Sequence, residues 1–202
     1  MTEKYLPVVC AALLGLIGCD GDPGPEDSGM IMIDTGPGDL CAPPMAPYGT
    51  SQGSNFSPFT LQRCDGTDYE FYGEAEGYCD ASFTVVSIAA GWCGPCRMEA
   101  GLMQEYLVDG YAAYGVRIIV ALIQNNDYMA PDLAFCEGWQ TQYGLSNAVL
   151  IDPVQVTQRY FPAGSLPATV IVDSNGVIVH REYGVSMNLN TVRAELDRLL
   201  GL

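Results

Sequence analysis

The sequence is poor in positive charge. Lysine and arginine together number 8 against 24 aspartates and glutamates, which gives a formal net charge of −16. The only lysine, Lys4, lies in a segment that we expect to be removed. Nucleic acids and anionic membrane surfaces bind proteins through basic patches, so this composition argues against both kinds of partner. A solubilising surface charge explains the acidity, and a dedicated cationic partner is the alternative.

Histidine and long apolar runs are scarce as well. The single histidine is His180, and there is no second C-x-x-C pair to complete a zinc site at ligand spacing. We therefore expect no metal and no other cofactor, and we interpret His180, far in sequence from the cysteine motif, as structural. No apolar run reaches the roughly 20 residues that a transmembrane helix needs.

Cysteine, by contrast, is abundant. Eight cysteines in 202 residues favour an oxidising compartment, where disulfides persist. Residues 1–18 have the short polar start and apolar run of a signal peptide. Its end, Leu16-Ile17-Gly18-Cys19, resembles a bacterial lipobox, which implies that Cys19 carries lipid and anchors the protein on the periplasmic face of a membrane. An ordinary secretory signal with a chance cysteine is the alternative, and the choice between inner and outer membrane stays open.

The remaining chain divides by composition into a tether and a folded domain. Residues 19–57 are rich in Gly, Pro and Asp, which predicts a flexible linker. Residues 58–202 show alternating strand and helix patterns that predict an α/β fold with a mixed central sheet flanked by helices. The predicted strands are Phe59–Arg63 and Asp68–Tyr72, which form an N-terminal β-hairpin extension, then Phe83–Ala90, Val116–Ile123, Ala148–Ile151, Ala168–Val172 and Val177–Arg181. The predicted helices run from Cys96 to Tyr114, from about Pro131 to Tyr143 and from Asn190 to Leu200.

The motif Trp92-Cys93-Gly94-Pro95-Cys96 stands between a predicted buried strand and a predicted helix. At a helix start, unpaired N–H groups and the helix dipole favour the thiolate of Cys93, which is a nucleophile. Two intervening residues allow Cys96 to reach back and resolve a mixed disulfide formed at Cys93. Pro95 suits the first turn, where its missing N–H has no intrahelical partner. A zinc half-site and an ordinary structural disulfide are the alternatives.

Two segments carry a family resemblance: Ala90-Gly91-Trp92-Cys93-Gly94-Pro95-Cys96-Arg97-Met98-Glu99 and Gly164-Ser165-Leu166-Pro167-Ala168-Thr169. Over about residues 58 to 202 the chain resembles the TlpA-like, redoxin-type thiol-disulfide oxidoreductases of the thioredoxin superfamily. That resemblance implies a thioredoxin-like fold and a cis peptide before Pro167, close to the cysteines. It also implies that a substrate peptide pairs with the backbone of Leu166 and contacts Trp92, Gly94, Pro95 and Pro167.

The same resemblance singles out Glu99, which matches a common acidic position after the second cysteine. A carboxylate near the thiols can accept the proton that leaves Cys96, whereas a solvent-facing first-turn glutamate is the alternative. Thioredoxins proper carry a buried aspartate six positions before the first cysteine, and here Ser87 occupies that position. Trp92 is expected to shield the disulfide, although ordinary core packing explains it nearly as well.

Four further cysteines, Cys41, Cys64, Cys79 and Cys136, allow three disulfide connectivities. We favour structural bridges pairing Cys64 with Cys79 and Cys41 with Cys136. A rival hypothesis makes one pair a second redox couple that relays electrons to the motif.

The sequence thus favours a lipid-anchored thiol-disulfide oxidoreductase whose partners are protein thiols and a membrane electron donor. The resemblance favours action as a reductant. The alternative is a thioredoxin-fold binding or assembly module in which the disulfide is structural.

Overall fold

Two parallel strands rich in β-branched residues form the centre of the fold. The computed structural model describes residues 42–184 and 189–202. Its strands are β1 (Thr60–Arg63), β2 (Asp68–Glu70), β3 (Phe83–Ala90), β4 (Val116–Gln124), β5 (Ala148–Ile151), β6 (Ala168–Asp173) and β7 (Ile178–Tyr183). Its α-helices are α1 (Gly94–Met103), α2 (Leu133–Tyr143) and α3 (Asn190–Leu200). None of the helices in this part of the chain has the length and hydropathy needed to cross a bilayer.

The seven strands form one mixed sheet in the order β2-β1-β5-β4-β3-β6-β7. Strand β4 is parallel to β3 and β5, whereas β1 and β6 run antiparallel to their neighbours in the sheet. The carboxyl ends of β3 and β4 therefore meet at one edge of the sheet. Because Ala168 pairs with Ile88, the start of β6 lies at that same edge. The residues around 91, 125 and 167 are thereby brought together.

The predicted α/β fold with an N-terminal hairpin is confirmed, and β3, β5 and α3 have the predicted bounds. The helix after the motif is less regular than predicted, because α1 continues as a π-helical segment, Gln104–Asp109, and a separate 3₁₀ turn precedes Gly115. Helix α2 begins after Pro131, at Leu133. Its N-cap is Asp132, whose carboxylate accepts a hydrogen bond from the backbone N–H of Phe135 at 2.8 Å.

The folded domain starts earlier than residue 58. Phe56 is completely buried and stacks on Tyr160 with ring centroids 4.4 Å apart. The backbone of Ser54 accepts a hydrogen bond from Ile178 in β7. The end of the predicted tether therefore packs as part of the domain, because one aromatic residue there has a large apolar area to bury. The predicted signal peptide, the lipidation site at Cys19 and the first part of the tether lie outside the described residues.

Candidate active site

The cysteine motif lies where β3 gives way to α1. Cys93 is the N-cap of α1, and its sulfur is bonded to that of Cys96 at 2.06 Å. The backbone N–H of Cys96 donates a hydrogen bond to the Cys93 sulfur at 3.2 Å. After reduction the same N–H and the helix dipole favour a thiolate at Cys93 over a thiol. The predicted position of Cys93 at the helix start is confirmed.

Both cysteines are nearly enclosed. Cys93 is 3% and Cys96 is 2% exposed, whereas the intervening Gly94 and Pro95 are half-buried. Only a small part of either cysteine is therefore exposed to a partner sulfur. Attack on a substrate disulfide requires an accessible sulfur, so this degree of burial also suits a structural disulfide.

The segment before β6 lies at the same edge of the sheet. The peptide bond between Leu166 and Pro167 is cis, as the family resemblance implied. The carbonyl of Pro167 accepts a hydrogen bond from the backbone N–H of Gly184 at 2.8 Å. Within residues 42–184 and 189–202, the backbone N–H and carbonyl of Leu166 have no backbone partner. The half-buried Leu166 thus offers a donor and an acceptor at this edge.

Glu99 lies on the buried face of α1, one helical turn after Cys96. It is 5% exposed, which contradicts the alternative of a solvent-facing glutamate. Ser87 is also buried, in the middle of β3, so no carboxylate is present at the position of the thioredoxin aspartate. Glu99 is the acidic side chain that this helix places in the core near the motif.

Trp92 takes part in a contact that sequence reasoning missed. Its indole N–H donates to the side-chain oxygen of Gln124 at 2.9 Å, and its ring stacks on Tyr128 with centroids 5.0 Å apart and an interplanar angle of 15°. Trp92 is half-buried and packs against the hydrophobic core. The order of elements in the sequence could have indicated this contact. Tyr128 lies in the loop after β4, which is parallel to β3, and the loops that follow neighbouring parallel strands meet at one edge of the sheet.

Gly91 allows this loop to approach the motif closely. A Cβ at Gly91 would lie 2.7 Å from backbone atoms of Asn125 and Asn126. The backbone N–H of Gly91 also donates a hydrogen bond to the carbonyl of Gln124 at 2.9 Å. Glycine is thus required here by contact between two backbones, which fixes the loop against the residues preceding Cys93.

Arg97, the residue after Cys96, borders a groove of about 250 Å³ beside α2. The groove is also lined by Asn126, Trp139 and Tyr143. Burial raises the pKa of the Tyr143 hydroxyl, and the positive charge of Arg97 opposes that rise. Arg97 is exposed, and its guanidinium has no hydrogen bond, ion pair or ring contact among the described residues.

The second described disulfide joins Cys64 to Cys136, with a sulfur–sulfur distance of 2.07 Å. The favoured pairing of Cys64 with Cys79 is therefore wrong, as is that of Cys41 with Cys136. The tertiary fold determines the pairing. Strand β1 pairs with β5, and α2, which carries Cys136, packs on β5, so Cys136 lies close to Cys64 at the end of β1. Cys79 is also disulfide-bonded, and Cys41 lies outside the described residues.

His180 lies on the edge strand β7, away from the motif in the sheet order. Its ring nitrogens are 3.5 Å from a carboxylate oxygen of Glu182 and 3.9 Å from one of Glu195. These contacts agree with a structural role. The described residues contain no cluster of three or more His, Cys, Asp or Glu side chains that could hold a metal ion.

Comparison with known proteins identifies the family. The family model described as Redoxin matches residues 52–199. The chain belongs to the Redoxin family. The predicted family is thereby confirmed, and the match begins before residue 58, in agreement with the packing of Phe56.

Two curated relatives are similar over part of their length. The chain is 31% identical over 93 residues to the thiol-disulfide oxidoreductase ResA of Bacillus anthracis, covering 46% of this chain and 50% of that protein. It is 27% identical over 107 residues to the thiol:disulfide interchange protein CycY of Rhizobium leguminosarum bv. viciae, covering 53% of each. The chain thus spans about half the length of the curated relatives it matches.

Solved structures share the fold at low identity. The thioredoxin domain of the thiol-disulfide oxidoreductase BVU-2223 from Bacteroides vulgatus has a TM-score of 0.56 and 16% identity, covering 75% of this chain and 99% of that one. A secreted Mycobacterium tuberculosis disulfide oxidoreductase homologous to E. coli DsbE has a TM-score of 0.53 and 16% identity, covering 71% and 96%. At these identities the likeness establishes the thioredoxin-like fold alone.

Proposed function

We propose that this protein is a membrane-anchored thiol-disulfide oxidoreductase that reduces disulfides of proteins outside the cytoplasm. The main support is the N-cap position of Cys93, whose sulfur accepts a hydrogen bond from the backbone N–H of Cys96. The names of the relatives ResA and CycY, a thiol-disulfide oxidoreductase and a thiol:disulfide interchange protein, support the same chemistry.

In the proposed reaction the reduced Cys93 thiolate attacks one sulfur of a substrate disulfide. A Cys93–substrate disulfide forms, the substrate bond breaks, and one substrate thiolate leaves. Cys96 then loses its proton and attacks the Cys93 sulfur, which releases the second substrate thiolate and closes the Cys93–Cys96 disulfide. The substrate gains two electrons, and its two thiolates take up the proton released by Cys96 and one proton from water. A membrane electron donor must then reduce the enzyme again.

Glu99 is proposed to accept the proton of Cys96 in the second step. Its burial one turn along α1 supports this role, because general bases act best when they are held close to the proton they take. Glu99→Gln should slow resolution of the mixed disulfide by roughly 10²-fold, the low end for general acid–base catalysis. The rate of the first attack should change little, and stopped-flow kinetics across pH separate the two steps.

Leu166 is proposed to hold the substrate chain beside Cys93. Its backbone N–H and carbonyl, without backbone partners in the described part of the chain, can pair with an extended peptide as a strand would. In this proposal Trp92, Gly94, Pro95 and Pro167 contact the same substrate chain. The burial of both cysteines favours an extended chain over a bulky folded surface.

The second candidate is a binding module in which the Cys93–Cys96 disulfide is structural. The near-complete burial of both cysteines favours it. A reduction potential below about −300 mV together with no exchange with partner thiols would support this candidate over the enzyme.

Trapping of mixed disulfides tests the proposed function. Cys96→Ser should accumulate substrate proteins bound covalently to Cys93, because the resolving thiol is gone. Cys93→Ser is the matched control and should trap none, since it lacks the attacking sulfur. No covalent partner with Cys96→Ser, in cells where the wild-type pair stays oxidised, contradicts the enzyme. Cys19→Ala should in addition release the protein from membranes if the proposed lipid anchor is correct.

A further inference from the structure

Tyr128 has an unusual backbone conformation for an exposed aromatic residue. Its φ is +62°, in the left-handed region that residues with large side chains rarely adopt. The residue is 64% exposed, so burial of its ring does not offset the backbone strain. Strained residues of this kind cluster at functional sites, where the surrounding structure holds them in place.

The surrounding loop is built to hold this conformation. The side-chain oxygen of Asn125 accepts hydrogen bonds from the backbone N–H groups of Asp127 at 2.9 Å and Met129 at 3.0 Å. The backbone N–H of Asn125 donates to the carbonyl of Met129 at 2.9 Å. The side chain of Gln124 donates to the carbonyl of Tyr128 at 2.9 Å and accepts from the indole of Trp92. One glutamine thus connects the backbone of Tyr128 to the residue preceding Cys93.

The Tyr128 ring is therefore ordered before any substrate arrives. One face stacks on Trp92, and most of the rest of the side chain faces solvent. An ordered ring stacked on the residue that precedes Cys93 can bind a partner side chain without the entropy cost of ordering a loop.

The negative charge of the protein favours a cationic side chain as the partner of this ring. The protein has a formal net charge of −16, and the neighbouring Asp127 is exposed. A cationic side chain is attracted by that field and by the negative face of an aromatic ring. Arg97 opposes this attraction, because it lines a groove with Asn126, two residues from Tyr128.

We propose that Tyr128 is a specificity-determining residue, whose stacked ring binds a lysine or arginine side chain next to the reactive cysteine of a polypeptide substrate. This inference rests on the proposed function and adds the substrate class. It predicts that basic segments around a disulfide are reduced faster than neutral or acidic segments.

The test uses three peptides with one disulfide flanked by lysine, glutamine or glutamate, reduced by the pre-reduced protein at about 0.15 M salt, where the long-range field of the protein is largely screened. The lysine peptide should react faster than the glutamine peptide by roughly two- to five-fold, the range of an exposed cation–π contact. Tyr128→Phe should keep that ratio because it retains the ring. Tyr128→Leu retains apolar bulk without a ring face and should lose the ratio. Arg97→Gln should increase it.

The control is Tyr114→Leu, at an exposed tyrosine that precedes β4 and so lies at the opposite edge of the sheet. This variant should leave all three rates unchanged. A lysine preference that persists in Tyr128→Leu would assign selectivity to bulk charge and overturn the proposal. An equal slowing of all three peptides in Tyr128→Leu would also overturn it, by showing that the ring only supports Trp92. Thermal unfolding of each variant establishes that it is folded.

Binding of the same peptides with serine in place of cysteine separates the two proposals. Calorimetric titration should give tighter binding of the lysine peptide, dependent on the ring at position 128. Ring-dependent binding without any disulfide exchange would refute the proposed function and retain Tyr128 as a docking residue. Exchange without ring-dependent selectivity in either assay would retain the function and refute the role of Tyr128.

Discussion

Replacing both Cys64 and Cys136 by alanine removes a crosslink between residues 72 positions apart. In the chain-entropy description, a loop of that size corresponds to about 4 kcal/mol of unfolding free energy at room temperature. Cys136 is completely buried, so loss of its sulfur adds about 1 kcal/mol through lost packing. We expect the double variant to be less stable by about 5 kcal/mol, a large part of the 5–15 kcal/mol of a typical domain.

The Cys93–Cys96 disulfide gives a contrasting case within the same protein. Its sequence separation of 3 closes a very short loop, for which the same relation gives about 2 kcal/mol. Measurements of stability and of disulfide exchange should therefore distinguish a structural bridge from a redox pair. The Cys64→Ala, Cys136→Ala variant should lose stability in urea unfolding and keep its rate of disulfide exchange, measured well below its unfolding midpoint. The Cys93→Ser, Cys96→Ser variant should lose less stability, about 2 kcal/mol, and all exchange.

The opposite pattern would refute this reasoning. If the Cys64→Ala, Cys136→Ala variant unfolds at nearly the wild-type urea concentration but no longer turns over, the bridge is a second redox couple. Cys64 is accessible enough for such disulfide exchange, because it lines a cavity of about 290 Å³ and is only half-buried.

Three further predictions concern single residues. Gly91→Ala should destabilise the protein by about 1–3 kcal/mol in urea unfolding, because a Cβ would lie 2.7 Å from the backbone of Asn126; a cost near zero would contradict that contact. Burial raises the pKa of Tyr69 from 10.0 to about 12, so the stability that its protonated form contributes is lost as pH rises through that interval. Tyr69→Phe should therefore reduce the fall in unfolding free energy between pH 10 and about 12. An unchanged dependence on pH would show that Tyr69 does not cause that fall. Gly138→Ala should stabilise α2 by about 1 kcal/mol in thermal unfolding, because its Cβ would meet nothing within 4 Å; a loss of stability would indicate an unrecognised contact.

The elements that could be predicted from sequence are those whose signals are local. β3 is an unbroken apolar strand between a turn and a helix start, and its bounds, Phe83–Ala90, match the prediction. The position of the cysteine motif at a helix start could be predicted for the same reason, because both the cysteine spacing and the helix start depend on neighbouring residues. The burial of Phe56, within the predicted tether, could not be read in the same way, because the surrounding composition is rich in Gly and Pro.

What could not be predicted depends on contacts between distant parts of the chain. The pairing of Cys64 with Cys136 follows from the antiparallel contact of β1 with β5, which no cysteine spacing reveals. The stacking of Tyr128 on Trp92 joins the loop after β4 to the loop after β3, and no glycine at position 128 signals its left-handed backbone. The burial of Glu99 could not be distinguished from exposure, because a helix predicted to start at Cys96 places Glu99 in its first turn, where a glutamate suits either environment.

The positions of the tryptophans make the two described disulfides separately observable. The chain has 2 tryptophans: Trp92 directly precedes Cys93, and Trp139 follows Cys136 by one helical turn on α2. A disulfide quenches the fluorescence of a nearby indole, so each bridge has its own optical reporter. Trp139→Phe leaves the emission of Trp92 to follow the motif, and Trp92→Phe leaves that of Trp139 to follow the bridge at the end of the hairpin. The order in which a reductant opens the two bonds can thus be recorded in real time without any added label.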